Sequence, residues 1–440
     1  VRWMVDGDKG NSCLIRIRAN DDAAWYKVES TTWLDTTSEG PQDSPKPIPL
    51  TDPYETIERM VNNKWQDLIL YRSEYRLPYY KTGGSVQSIT AEVAKGSDFK
   101  VGMANRFRGN TCYALDPAGK TTRATYFSLG GQEFAVISKT CIRQLNDTTE
   151  KIRQAVADSL AIPKSHVIIN WDHTHYSDCG EALADSCVAA VRLAKAAARP
   201  AVMAWKRVSM GPGYNFRRSG QSPTGMTSAP IDDSYWCLFF KDTAGAPIGA
   251  WLRFSGHIGG QLNSAICDSV AAAFGGCGQF FQGGAGTHNV WDNYNANANP
   301  TAARPGTWSA SKAREVAMAQ LPELTFKSVD KMGIAYAWDA VPLTGTVMVN
   351  AWVIGDLNLL CFAGESPAEQ QLYIAARMHN SPNTMPIGYS NGGGGTYYYW
   401  GHDLTSKNNP VQWPNHDGKD QVIRNAETTL RCINIIRNMF

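Results

Sequence analysis

The sequence predicts an α/β fold, a mixed sheet with flanking helices over residues 89–440, entered through a small β-rich segment over residues 1–88. Three observations carry this prediction. The run Phe134-Ala135-Val136-Ile137, a helical pattern with Ile152, Val156 and Leu160 on one face, and the run Val167-Ile168-Ile169 follow one another as strand, helix, strand. Three later apolar runs, Ala250 to Phe254, Gly278 to Gln282 and Leu357 to Phe362, each stop at a glycine-rich or polar cluster, which is where sites in α/β sheets form. Hydrophobic residues at 43% and charged residues at 19% are globular proportions, and 440 residues allow a large core.

Along the chain, Cys13 to Arg18 alternates as a strand, Pro41 to Pro53 forms a proline-rich break, and Tyr54 to Leu70 reads as a helix. In that helix Ile57, Met60, Val61, Trp65 and Leu68 recur at spacings of three and four. From Ile89 onwards strands alternate with helices, an order that favours a parallel or mixed sheet. A second helical pattern covers Val422 to Ile436.

A net charge of +2 without a basic stripe argues against a nucleic-acid partner. The apolar stretch Ala189 to Trp205 is interrupted by Arg192, Lys195 and Arg199, and Ala351 to Ala363 contains Asp356 and Asn358, so neither predicts a transmembrane segment. The start at Val1, with no leader-like pattern, is expected of a processed or truncated N-terminus. Ten cysteines without a C-x-x-C spacing include the sequence-local pairs Cys179 with Cys187 and Cys267 with Cys277, and Asn146-Asp147-Thr148 is a glycan acceptor pattern. Together they predict disulfides and an extracellular, secretory or periplasmic location; the alternative is a set of buried thiols.

Four clusters carry candidate chemistry. Asp172-His173-Thr174-His175 follows the run Val167 to Ile169; in an extended segment His173 and His175 share a face, a good spacing for metal ligands, though two histidines in a turn more often serve as surface or hydrogen-bonding residues. His257, in Ser255-Gly256-His257-Ile258-Gly259, sits among glycines that permit close approach to a ligand, though on these residues alone the reading as a hydrogen-bonded loop histidine is preferred. Glu365 lies between a strand and a predicted helix, where an acid either complements the helix dipole or ligates a metal. Tyr389-Ser390-Asn391-Gly392 leads into a glycine run and the tyrosines Tyr397, Tyr398 and Tyr399.

The series H-T-H at 173–175, N-F-R-R at 215–218, F-S-G-H at 254–257, F-F-Q-G-G-A-G at 280–286, A-G-E-S at 363–366 and G-Y-S-N at 388–391 resembles the catalytic domain of the neutral/alkaline ceramidases, over roughly residues 120 to 400. The resemblance implies a ceramidase-like catalytic domain that hydrolyses an N-acyl amide, with a ceramide-like lipid or another small molecule as substrate and contact at a membrane surface. It implies a zinc ion (Zn2+) held by His173, His257, Glu365 and Tyr397, with Tyr398 one residue away as the alternative. It further implies that His175, with Arg217 or Arg218, meets the reacting carbonyl.

Several positions depart from the family pattern. Asp172 stands for its usual threonine, Tyr176 to Cys179 for a Ser-Gly-Pro run, and Thr287-His288 for Gly-Asp. The glycine-rich segment around Gly283 reads as a tight turn, and His288 is not counted as a ligand. With the sequence ending at Phe440, the family's C-terminal immunoglobulin-like domain is not expected. Two alternatives follow: a hydrolase of a non-sphingoid amide, or a non-catalytic binding protein on the same fold.

Overall fold

A computed structural model describes residues 2–6, 13–18, 26–30, 89–107, 121–141, 146–174, 183–211, 213–217, 232–257, 262–286, 288–290, 308–341, 345–365, 383–392 and 418–440. Strands β1 (Arg2–Asp6), β2 (Cys13–Arg18) and β3 (Tyr26–Ser30) pair as an antiparallel three-stranded sheet, in line with the β-rich start. The predicted helix over Tyr54 to Leu70 lies outside the described residues.

The main body runs β4 (Thr90–Lys95), β5 (Lys100–Phe107), β6 (Thr121–Leu129), β7 (Gln132–Lys139), α1 (Asn146–Leu160), β8 (Val167–Trp171), α2 (Leu183–Ala196), β9 (Arg199–Ser209) and β10 (Asn215–Arg217). It continues with β11 (Ser234–Asp242), β12 (Pro247–Phe254), α3 (Leu262–Phe274), β13 (Cys277–Gln282), β14 (His288–Val290) and α4 (Ala310–Gln320). It closes with β15 (Lys331–Val341), β16 (Gly345–Ile354), β17 (Leu357–Cys361), β18 (Thr384–Ile387) and α5 (Gly418–Met439). An eight-stranded sheet has the order β13-β12-β11-β9-β5-β6-β7-β8, a five-stranded sheet the order β18-β17-β16-β15-β4, and β10 pairs with β14.

Alternation along the strands decides the layers. Phe127 and Leu129 of β6, Phe134 and Val136 of β7, and Trp236, Leu238 and Phe240 of β11 point to a core shared with Met332, Ile334, Trp352, Ile354 and Leu359 of the smaller sheet. Their sequence neighbours Tyr126, Ala135, Ile137, Cys237 and Phe239 face the other way, onto helices. Two sheets therefore pack face to face, with α1 to α4 on the outer side of the larger and α5 on that of the smaller. The predicted βαβ unit is formed: β7 and β8 are parallel, and Ile152, Val156 and Leu160 of α1 are buried in the helix-side core.

The larger sheet coils until its edge strands meet. Gln282 N, at the end of β13, donates to Asn170 Oδ1 of β8 at 3.3 Å. Side chains close the remaining gap: Thr125 donates to Gln279 Oε1 at 2.6 Å, and Ser138 donates to Phe280 O at 2.5 Å.

The two sequence-local cysteine pairs are not disulfides. Cys267 and Cys277 are free thiols; Cys267 lies in the core between α3 and the sheet, whereas Cys277 packs against the core between the sheets. Cys187 is also free and buried, and Cys179 lies outside the described residues. Burial pushes the thiols of Cys187, Cys267 and Cys361 up to about 12, so they are protonated, unreactive core groups at neutral pH. Among the described residues no helix is long and apolar enough to cross a membrane.

Candidate metal centre

Among the described residues, two strand pairs besides β7 with β8 are parallel, β12 with β13 and β17 with β18. The segments that leave the C-terminal ends of these strands converge, as sites in α/β sheets do. β8 leads to His173, β12 to His257, β13 to Ala285, β17 to Glu365 and β18 to Tyr389.

Hydrogen bonds hold these segments at their turns. The expectation that His173 sits in an extended segment does not hold: its φ is +61°, a left-handed turn immediately after the strand. Asp172 builds that turn, its Oδ1 accepting from Cys141 N and Thr174 N at 3.1 Å each, while its own carbonyl accepts from Asn263 Nδ2 at 2.6 Å. Burial pushes the Asp172 carboxyl up to about 6, against the lowering effect of its hydrogen bonds. The backbone of His257 is bracketed by β14, with His257 N donating to His288 O at 2.8 Å and Val290 N donating to His257 O at 3.1 Å.

Residues 388–392 tie the ends together. Gly388 N donates to Gln282 O, Tyr389 N to Gly364 O, Ser390 N to Phe362 O and Asn391 N to Ile169 O, all within 2.8–2.9 Å. Asn391 Oδ1 also accepts from Ile169 N at 2.9 Å, so one side chain stands in for a strand partner of β8. Tyr389 and Asn391 have φ values of +51° and +59°; with His173 they place three of the four non-glycine residues with positive φ among the described residues at this junction.

The result is a buried cluster. His257 Nε2 lies 2.9 Å and His173 Nε2 3.8 Å from Glu365 Oε1, with the His173 and Glu365 side chains each 2% exposed. The Tyr389 ring stacks on His173 at 4.5 Å, its hydroxyl 3.3 Å from His173 Nε2. One ligand atom from each of His173, His257 and Glu365 lies within 4.8 Å of the others.

The donor chemistry fits a cation. A carbonyl only accepts, so the contact of His257 Nδ1 with Ala285 O at 2.8 Å places the ring proton on Nδ1. In the neutral ring the Nε2 lone pair then faces a carboxylate oxygen, an arrangement that a shared cation relieves. Zinc ligands at about 2.0–2.2 Å in tetrahedral array lie roughly 3.3 Å apart. The two contacts to Glu365 Oε1, 2.9 and 3.8 Å, bracket that spacing.

No protein-family model and no curated protein sequence matches the chain. In three dimensions it is similar to the neutral ceramidase from Pseudomonas aeruginosa, with a TM-score of 0.54, 12% identity, and coverage of 78% of this chain and 73% of that one. It is also similar to a ceramidase complexed with C2, with a TM-score of 0.52, 12% identity, and coverage of 78% and 74%. The fold is ceramidase-like.

On this ceramidase-like fold, three of the four metal ligands expected from the sequence, His173, His257 and Glu365, come together. Tyr397 and its alternative Tyr398, together with His175 and Arg218, lie outside the described residues. Arg217 is described only as backbone, in β10 opposite His288 of β14. Sequence reasoning passed over Tyr389, although it quoted the G-Y-S-N segment, because the tyrosine-rich stretch downstream drew the assignment. It read the turn after β13 correctly but had no signal for its role: the Ala285 carbonyl is a backbone group, and nothing in a side-chain pattern marks it.

Proposed function

We propose that this chain is a zinc-dependent hydrolase of an N-acyl amide bond, with a ceramide-like lipid as the favoured substrate. The observation that carries the proposal is the convergence of His173 Nε2, His257 Nε2 and Glu365 Oε1 in a buried site. His173, His257 and Glu365 hold the metal. Tyr389 completes the set in preference to Tyr397, because its hydroxyl is 3.3 Å from His173 Nε2. Zinc bound there supplies Lewis acidity and lowers the pKa of a water to about 7.

The protein's own groups do the rest. Glu365 contributes the negative charge that offsets the cation, and the Ala285 carbonyl fixes the ring of His257. As the amide carbon becomes tetrahedral its oxygen gains charge, and His175 with Arg217 or Arg218 is assigned to donate to it. Such a donor is typically worth about 3 kcal/mol. The ceramidase-like fold supports the amide chemistry, and a lipid substrate implies contact with a membrane surface.

A second reading, a non-sphingoid amide as substrate, is favoured by Asp172, which shapes the turn before His173 through hydrogen bonds that the family's threonine would make differently. Elemental analysis of the purified chain, together with turnover of a fluorescent N-acylsphingosine and a panel of shorter N-acyl amides, tests both readings. One zinc per chain with ceramide cleavage is expected. Zinc with cleavage of the shorter amides alone selects the second reading, and absence of zinc after reconstitution rejects both.

The choice of tyrosine has its own test. Tyr389→Phe is expected to weaken zinc binding by more than about a hundredfold, whereas Tyr397→Phe leaves it within about twofold. Competition with a chromophoric chelator measures both, and the reverse ranking would return the assignment to Tyr397.

A further inference from the structure

Behind His257 lies a fully buried ion pair that the ligand set does not use. Arg253 Nη1 donates to Asp232 Oδ2 at 2.6 Å, and Arg253 Nε donates to Pro386 O at 2.8 Å. The same carboxylate accepts from Ser234 Oγ and Ser255 Oγ, each at 2.5 Å. Burial pushes the Asp232 carboxyl up, but Arg253 and the two hydroxyls outweigh it and hold the group down at about 2.

The polarity of this network has one consistent direction. A hydroxyl has a single proton, and that of Ser255 goes to Asp232 Oδ2, so its lone pairs face Gly284 N at 2.9 Å. Gly283 N, one residue earlier, donates to Phe254 O at 2.9 Å. The turn is pressed hard against the ion pair: a Cβ on Gly283 would meet Ser255 Oγ at 2.2 Å and the Arg253 guanidinium carbon at 2.6 Å. One residue beyond Gly284, the Ala285 carbonyl accepts the His257 Nδ1 proton at 2.8 Å.

We infer that Asp232 and Ser255 are positioning residues, which seat the 283–285 turn so that the Ala285 carbonyl holds the His257 proton on Nδ1 and leaves Nε2 to a cation. Arg253 keeps the Asp232 carboxylate in place. The role deepens the metal-site reading and rests on it for its purpose, but the hydrogen-bond order stands on this chain's own groups.

The test is Ser255→Ala in the full chain, read by NMR of histidine side chains labelled with nitrogen-15 and by zinc affinity. The His257 Nδ1 proton is expected to exchange with water at least about tenfold faster than in the wild type, and zinc affinity to fall by about 10–100-fold. His166 is the internal control: its Nδ1 contacts Glu133 O at 2.9 Å, remote in sequence from the 283–285 turn, and its exchange is expected to stay unchanged. Unchanged exchange at His257, or equal acceleration at both histidines, overturns the inference, the latter because it reports general loosening. If Ser255→Ala fails to fold, Ser255→Cys, which weakens both bonds at similar volume, is read in the same way. A wild-type chain that binds no zinc sinks the proposed function, while the exchange comparison still decides the positioning claim.

Discussion

His173→Ala is expected to leave a folded chain without zinc and without turnover. Loss of a group that merely orients a ligand costs about 10–100-fold in metal affinity, so loss of a ligand from a set of three or four exceeds about a hundredfold. A metal contributes several kcal/mol of transition-state stabilisation, so the rate falls by about a thousandfold or more. The backbone supplies a control. At φ +61° alanine is strained by about 1–2 kcal/mol and glycine is not, so His173→Gly should be the more stable variant yet equally devoid of metal. Elemental analysis and thermal denaturation of the two variants separate the ligand from the fold. Full zinc occupancy in either would remove His173 from the site.

Asp232→Asn is expected to cost about 3–5 kcal/mol, because it leaves the Arg253 guanidinium, itself completely buried, without its charge partner. Adding Arg253→Met should recover part of that loss, as removal of both charges is much less costly than removal of one. The pH dependence follows from the sign of the shift. Asp232 is held at about 2, below its ordinary 3.8, so its contribution is complete above about pH 4 and is lost as the pH falls through about 2. The contribution is on the order of 2 kcal/mol. Urea unfolding across that acid range should show a steeper loss of stability in the wild type than in the double variant. Parallel curves would mean that the pair does not govern acid stability.

Much of this was legible in the chain itself. The strands Phe134 to Ile137 and Val167 to Ile169 and the helix face Ile152, Val156, Leu160 could be read because periodicity is a local property. His173, His257 and Glu365 were singled out by the order of motifs that resembles the ceramidases, and each follows a strand end, where sites in α/β sheets form. The turn at His173 was missed: its cause, Asp172 bonded to Cys141 N, lies 31 residues upstream. The sequence-local pair Cys267 and Cys277 is not joined, because proximity in sequence did not place the two thiols in one layer of the core.

The elements and their order were legible because they depend on patterns within a few residues; His173, His257 and Glu365 were picked out by the order of motifs along the chain. The contact of Tyr389 with His173 from 216 residues away, the backbone carbonyl that sets the His257 proton and the buried ion pair behind it emerge with the folded chain. The physical reason is that hydrogen-bond direction and ring contact depend on where separate strand ends arrive, and the coiling of two packed sheets fixes that only when the whole chain is folded.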